Sequence, residues 1–353
     1  MNEPSGPSAP GGSSPGYRVC VLGATGLVGE TIIRVLEERK FPVAELFPLA
    51  SNRSLGKRVE FRGRHLQVID VATFDFARAQ IGLFSAGGDV SREYAPKAAA
   101  AGCVVIDNTS EFRYEDDIPL VVPEVNPEAI ADYRKRNIIA NPNCSTIQMV
   151  VALKPIHDAV GITRINVATY QSVSGAGKEA VDELAAQTTA LMSGQEPRKP
   201  QVIAKRIAFN AVPQIDKFQD NGYTREEMKM LWETRKILGD SRILVNATAV
   251  RVPVFFGHSE AVHLETREKI TAAAARELLE KAPGVEVLDE RRPGGYPTAA
   301  TEAANRDTVY VGRIREDISH ERGLNLWIVS DNIRKGAATN SVQIAEILVR
   351  EHI

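Results

Sequence analysis

Cysteine is scarce in this 353-residue chain: Cys20, Cys103 and Cys144 make an odd number, widely spaced and without a CxxC pair. Such spacing argues against a disulfide framework and a zinc site, and fits a reducing, cytoplasmic setting. Net charge is equally sparse at -2, which leaves no electrostatic footprint for nucleic acid or an anionic membrane. The longest apolar runs, such as "STIQMVVAL", are far shorter than a membrane span. The opening "MNEPSGPSAPGGSSPG", residues 1–16, lacks the basic start and apolar core of a secretory signal and reads as a disordered leader. Hydrophobic residues at 43% and charged residues at 25% are ordinary for a globular protein. The length exceeds one compact core, so two domains are expected.

After the leader, the apolar run "YRVCVLGA" leads into a glycine-rich turn and then "ETIIRVLEERK", whose apolar residues recur at helical spacing. The order strand, glycine turn, helix opens a βαβ unit. The second strand is expected in "AELFPLAS", with further strands in "QIGLFSAGG", "GCVVIDNTS" and "IPLVVPEV" and a helix in "SREYAPKAAAAG". That alternation predicts an α/β Rossmann-type domain with a doubly wound parallel sheet over 17–140. Beyond it come longer strand-like runs, "ITRINVATYQSV", "RILVNATAVRVPVFF", "EAVHLETR", "TVYVGRIRE" and "LNLWIVSDN". Helical patterns in "EEMKMLWETRKIL" and "TAAAARELLEKA" separate them. They predict an α+β second domain over 141–332, its sheet mixed or antiparallel with helices on one face. A final amphipathic helix within 333–353 is expected to return to the first domain.

The turn Gly23-Ala24-Thr25-Gly26-Leu27-Val28-Gly29 has the GxxGxxG pattern that lets a pyrophosphate approach a helix N-terminus. NAD-binding chains usually place an acid at the end of the second strand. Here "ASNRSLGK" offers Ser51, Arg53, Ser54 and Lys57 instead, a set suited to a 2′-phosphate, which favours NADP over NAD, the bland alternative being a solvated basic turn. Cys144, in "NPNCSTIQ", sits between a polar turn and a helix start, where dipole and free N–H groups lower a thiol pKa. Position alone leaves it between a nucleophile and a buried thiol, whereas Cys20 and Cys103 read as core. Among the histidines, His258 follows Gly257 at a turn between strands and is the candidate proton carrier, while His263 reads as structural. Arg113 lies beyond a strand end, where open α/β sheets bind ligands. Arg251 precedes His258 by seven residues; Glu226 and Lys229 share a helix face, as catalytic groups or as a solvated ion pair.

Taken in order, "LGATGLVG", "SNRSLGK", "DNTSEFR", "NPNCSTIQ", "QSVSGAGK", "EEMKM", "RVPVFFGHSE" and "SDNIRKGAATNSVQIAE" resemble aspartate-semialdehyde dehydrogenase, over residues 22–346. The resemblance implies Cys144 as nucleophile and His258 as acid/base. Gln171, Glu226 and Arg251 fall on substrate positions, Arg251 gripping the α-carboxylate and Glu226 the amino group. Arg113 and Lys229 fall on phosphate positions, with Asn143 nearby. Thr25, Gly26, Leu27, Val28, Arg53, Ser54, Ser174, Gly175 and Asn332 fall on NADP positions, beside Gly23, Gly29 and Ser51 of the two motifs. It also implies a homodimer without metal that reduces L-aspartyl 4-phosphate to L-aspartate 4-semialdehyde through a cysteine thioester, in biosynthesis of lysine and diaminopimelate, threonine and methionine. Two alternatives stay open: a related enzyme such as N-acetyl-gamma-glutamyl-phosphate reductase, and a catalytically silent NADP-binding paralogue.

Overall fold

A computed structural model describes residues 16–353; the leader expected over 1–16 lies, Gly16 apart, outside the described residues. The chain opens with β1 (Tyr17–Leu22), α1 (Leu27–Glu38) and β2 (Val43–Ala50). A hairpin of β3 (Arg58–Phe61) and β4 (Arg64–Gln67) follows, then β5 (Ile69–Asp70), β6 (Ile81–Phe84), α2 (Gly88–Ala100), β7 (Val104–Asp107) and β8 (Ile138–Ala140). Hairpin aside, these strands form one sheet in the order β5-β2-β1-β6-β7-β8, every pair parallel. Fully apolar strands such as Ile81–Phe84, buried throughout, are what a sheet covered on both faces requires. The glycine turn closes tightly because Gly29 packs on it: a Cβ there would stand 2.1 Å from the Gly23 carbonyl oxygen.

The second half contains α3 (Cys144–Val160), β9 (Ile162–Gln171), α4 (Lys178–Met192), α5 (Arg225–Leu238), β10 (Leu244–Arg251) and β11 (His258–Thr266). It ends with α6 (Ala272–Glu280), β12 (Val285–Val287), β13 (Val309–Glu316), β14 (Gly323–Ser330) and α7 (Thr339–Glu351). The sheet order is β10-β9-β11-β14-β13-β12, with parallel pairs at its two ends and antiparallel pairs between. This is the expected mixed sheet. Helix α3 lies against β9, β11, β13 and β14, and α7 returns to pack on α1 and β7.

Two expected strands differ. "IPLVVPEV" forms a single bridge from Leu120 to Ala140 rather than a strand, because Pro119 and Pro123 each remove a ladder donor. The run through "RILVNATAVRVPVFF" stops at Arg251, two residues before Pro253. The chain then turns through Gly257, at φ +87°, and re-enters the sheet at His258.

Candidate active site

Between the two sheets runs a cleft of about 640 Å³ whose walls include Gly26, Leu27 and Val28 from the glycine turn and Arg113 from the loop after β7. Asn143, Cys144, Gln171, Ser174, Gly175, Glu226, Lys229, Arg251 and Asn332 complete its expected members. A neighbouring cleft of about 560 Å³ gathers Gly23, Thr25, Ser51 and Ser54, with Thr25 Oγ1 3.1 Å from Ser54 Oγ. Arg53 lines neither cleft and is exposed. Asp70, paired with Ala50 beside the end of β2, does line the second one, an acid that the local motif at Ser51 gave no reason to expect. Its carboxylate accepts from the Ala72 amide at 3.1 Å.

Asn143 is the hinge of the site. Its Oδ1 accepts from the Ser145 and Thr146 amides at 3.0 and 3.2 Å, capping α3. Its Nδ2 donates to Glu226 Oε1 at 2.9 Å, and its backbone N–H donates to Glu233 Oε2 at 2.6 Å. Glu226 and Lys229 are buried and 3.0 Å apart, so the solvated-pair reading is corrected: α5 turns both into the cleft. Burial opposes ionisation of Glu226, but Lys229 and the Asn143 amide outweigh it and hold the carboxyl at about 2. Lys229 also donates to Asp216 at 2.8 Å, and Gln171 Nε2 donates to Glu226 Oε1 at 3.2 Å.

Arg113 is buried, its Nη1 donating to Glu233 Oε1 at 3.0 Å and its Nη2 to the Asn108 carbonyl at 2.8 Å. Its Nε has no partner among the described residues. Arg251 donates from Nη1 to the Ser172 carbonyl at 2.7 Å. Gly175 lies against both Arg251 and His258: a Cβ there would stand 2.9 Å from Arg251 Nη1 and 3.2 Å from His258 Nε2. His258 is fully buried, behind Gly175 rather than on the cleft wall. The Ser172 N–H donates to His258 Nδ1 at 3.1 Å, so a neutral ring carries its proton on Nε2. Burial, then Arg251, press the His258 pKa down to about 3.

The thiol behaves differently from expectation. Cys144 does open α3, yet burial and then the Glu226 carboxylate push its pKa up to about 12, against Arg251, Arg113 and the Ser145 amide. The helix start lowers the pKa without prevailing. Asn332 lines the cleft, but its amide is committed inward: Oδ1 accepts from the Gly257 N–H at 2.9 Å and from the Ser172 and Ser174 hydroxyls at 3.1 and 3.2 Å.

Sequence reasoning missed Glu233, Asp216 and Ser172. Glu233 had a signal, since it lies seven residues after Glu226 on the same helical face. Asp216 and Ser172 sit in loops with no periodicity to mark them. Among the described residues no group of three or more His, Cys, Asp or Glu could hold a metal ion. No helix among them is long and apolar enough to cross a membrane.

The family profile "Semialdehyde dehydrogenase, NAD binding domain" matches residues 18–133, and "Semialdehyde dehydrogenase, dimerisation domain" matches 153–335. An aspartate-semialdehyde dehydrogenase of Legionella pneumophila is 67% identical over 335 residues, covering 95% of this chain and 96% of that protein. The Vibrio cholerae aspartate semialdehyde dehydrogenase II, solved in complex with ASA, is 60% identical with a TM-score of 0.94, covering 96% of this chain and all of that one. The Candida albicans aspartate semialdehyde dehydrogenase, solved with NADP, is 27% identical with a TM-score of 0.73, covering 95% and 98% of the two chains. Fold and site thus define a semialdehyde dehydrogenase, an oxidoreductase with a Rossmann-type dinucleotide domain joined to a dimerisation domain. Within that class, the chain belongs to the aspartate-semialdehyde dehydrogenase family.

Proposed function

We propose that this protein reduces L-aspartyl 4-phosphate to L-aspartate 4-semialdehyde with NADPH, reversibly, through a thioester on Cys144. The observation that carries it is the convergence of Cys144, Arg113, Arg251, Glu226 and Lys229 on one cleft that also meets the glycine turn. Arg251 binds the substrate's α-carboxylate and Glu226 its ammonium group. Arg113 and Lys229 hold the phosphate at the other end, a charge pattern matched to a short zwitterion with one acyl phosphate. Pairing of the substrate ammonium with Glu226 offsets one of the two influences that keep the thiol protonated, burial being the larger, while the substrate carboxylate and phosphate engage the arginines that oppose them.

Thiolate Cys144 then attacks the acyl carbon, the carbon–oxygen bond to phosphate breaks, and a thioester forms. Gly23, Thr25, Gly26, Leu27, Val28, Gly29, Ser51, Ser54, Ser174 and Gly175 would hold NADP(H), with Arg53 and Asn332 at its margins. The close approach allowed by the glycine turn fits such a dinucleotide. When bound, it supplies the hydride. The Cys144 N–H at the start of α3, which the Asn143 cap leaves free, stabilises the developing oxyanion. The proton on His258 Nε2 is available for collapse, in which the carbon–sulfur bond breaks and the aldehyde leaves. The Vibrio cholerae relative's ASA and the Candida albicans relative's NADP support the two ligands. The dimerisation profile, the exposed Tyr170 and the half-buried Trp327 beside it on the second sheet support a homodimer. Scarce, unpaired cysteine supports a cytoplasmic location. The working division is a dinucleotide domain over 17–140, a catalytic and dimerisation domain over 141–332 and a return helix over 333–353.

The test is phosphate- and NADP-dependent oxidation of L-aspartate 4-semialdehyde against N-acetyl-L-glutamate 5-semialdehyde, which has no free ammonium for Glu226. Faster turnover of the acetylated aldehyde overturns the substrate assignment. Cys144→Ser should abolish turnover while NADP still binds, and wild-type turnover in that variant would refute the thioester.

A further inference from the structure

Strand β11 alternates from Glu260 onward, after an opening in which His258, Ser259 and Glu260 are all buried. His258, Glu260, Val262, Leu264 and Thr266 are buried, while Ala261, His263 and Glu265 between them are half-exposed. The buried set faces α3, and Val262 and Leu264 belong to the apolar core. Glu260 therefore occupies a position that the strand's own pattern reserves for a hydrophobe. It is fully buried, and neither carboxyl oxygen has a hydrogen-bond partner among the described residues. Its cross-strand neighbours are Thr169 and Ile328, one row behind the row of Gln171 and His258.

An ionised carboxylate without a cation in this setting would be costly, whereas a neutral acid is tolerated and has an O–H to donate. Burial raises its pKa well above the usual carboxylate range, and the Gln148 amide opposes the shift. Gln148 lies one helical turn after Cys144 and is fully buried, and its Oε1 also lacks a partner. Its Nε2 points at the His258 carbonyl oxygen, at 3.5 Å. A buried carboxyl and a buried amide oxygen, both without a hydrogen-bond partner among the described residues, thus stand on a strand and a helix packed together, and the same amide's Nε2 lies 3.5 Å from the His258 carbonyl oxygen.

We infer that Glu260 is a positioning residue, held as a neutral acid that donates to Gln148 and thereby fixes the His258 backbone relative to Cys144. The inference rests on the catalytic assignment of His258. It also explains why an ionisable side chain stands in a core row where leucine would pack without desolvation cost.

Infrared spectroscopy and kinetics on the full-length enzyme test it. At neutral pH the wild type should show a carboxylic acid C=O band that shifts in D2O and is missing from Glu260→Gln. Glutamine supplies a neutral donor of the same shape, so Glu260→Gln should keep kcat within about threefold, while Glu260→Leu loses about tenfold or more in kcat with KM little changed. No difference band overturns the inference, and so does a Glu260→Gln enzyme slower than about one tenth of wild type. Wild-type turnover in the leucine variant overturns it as well. Should leucine prevent folding, the band and the glutamine variant decide alone. The band does not depend on catalysis, so its loss is distinct from failure of the His258 assignment, which would appear as full turnover in His258→Asn.

Discussion

At the sulfur of Cys144, burial and the Glu226 carboxylate act against the helix start and two arginines, and the protonated form prevails. The sign of each influence is testable by alkylation with iodoacetamide, because Cys20 and Cys103 are buried and Cys144 is partly open to the cleft. Only the thiolate reacts. In the unliganded enzyme the rate should therefore climb about tenfold per pH unit past 8.5, where an ordinary thiol levels off, towards the thiol's pKa of about 12. Glu226→Gln removes a negative charge, so the thiol pKa should fall and alkylation at pH 8 should quicken by about tenfold for each unit of that fall. Turnover should drop in the same variant, because the substrate ammonium loses its counter-charge. An alkylation rate unchanged or slower in Glu226→Gln would remove Glu226 from the control of the nucleophile.

Helix α5 presents Glu226, Lys229 and Glu233 along one buried stripe, so a single element orders both ends of the proposed substrate cradle. Its start is secured by Thr224 and Glu227 as a capping box. Glu233 joins Arg113 to the Asn143 backbone, linking the proposed phosphate grip to the first turn of α3. Glu233→Gln should raise KM for phosphate by about tenfold to hundredfold in the oxidative direction and leave KM for the aldehyde nearly unchanged. Initial rates with each substrate varied would check this, and an equal rise in both constants would contradict it. This stripe also marks how far the sequence could be read. Glycine spacing and strand alternation made the Rossmann half and the mixed sheet legible because those signals are local, and the polar turn marked Cys144, whereas Asn143, Gln171, Ser174, Gly175 and Asn332 were reached only through the family resemblance. The protonation of Cys144, the recessed position of His258 and the pairing of Arg113 with Glu233 were not legible. Each depends on groups brought together across more than 80 residues, as Asn143 meets Glu226, and no local pattern encodes such distances.

Across the whole molecule, the two halves are tied by the stretch that follows β14. Asp331 accepts from the Ile333 and Arg334 amides at 2.8 and 2.9 Å, and from Asn305 at 2.7 Å. Arg334 reaches Glu38 of α1 and Asp307 of the second half. Lys335 is almost wholly buried and donates to Glu124 at 2.6 Å, Gln343 at 2.8 Å and Asn340 at 3.0 Å. Between these anchors, Asn332 ties down the His258 turn and Gly336 lies against Cys144. Removing the ammonium leaves the largely buried Glu124 carboxylate, which also accepts from Gln343, without its cation, so Lys335→Met should cost about 3 kcal/mol. Pairing it with Glu124→Leu should restore most of that loss, since the uncompensated charge goes with it. A thermal-unfolding cycle of the wild type, the two single variants and the double variant measures the coupling. If the double variant is no more stable than Lys335→Met, the pair does not hold the return segment, and the halves must be joined chiefly through α7 and the apolar core.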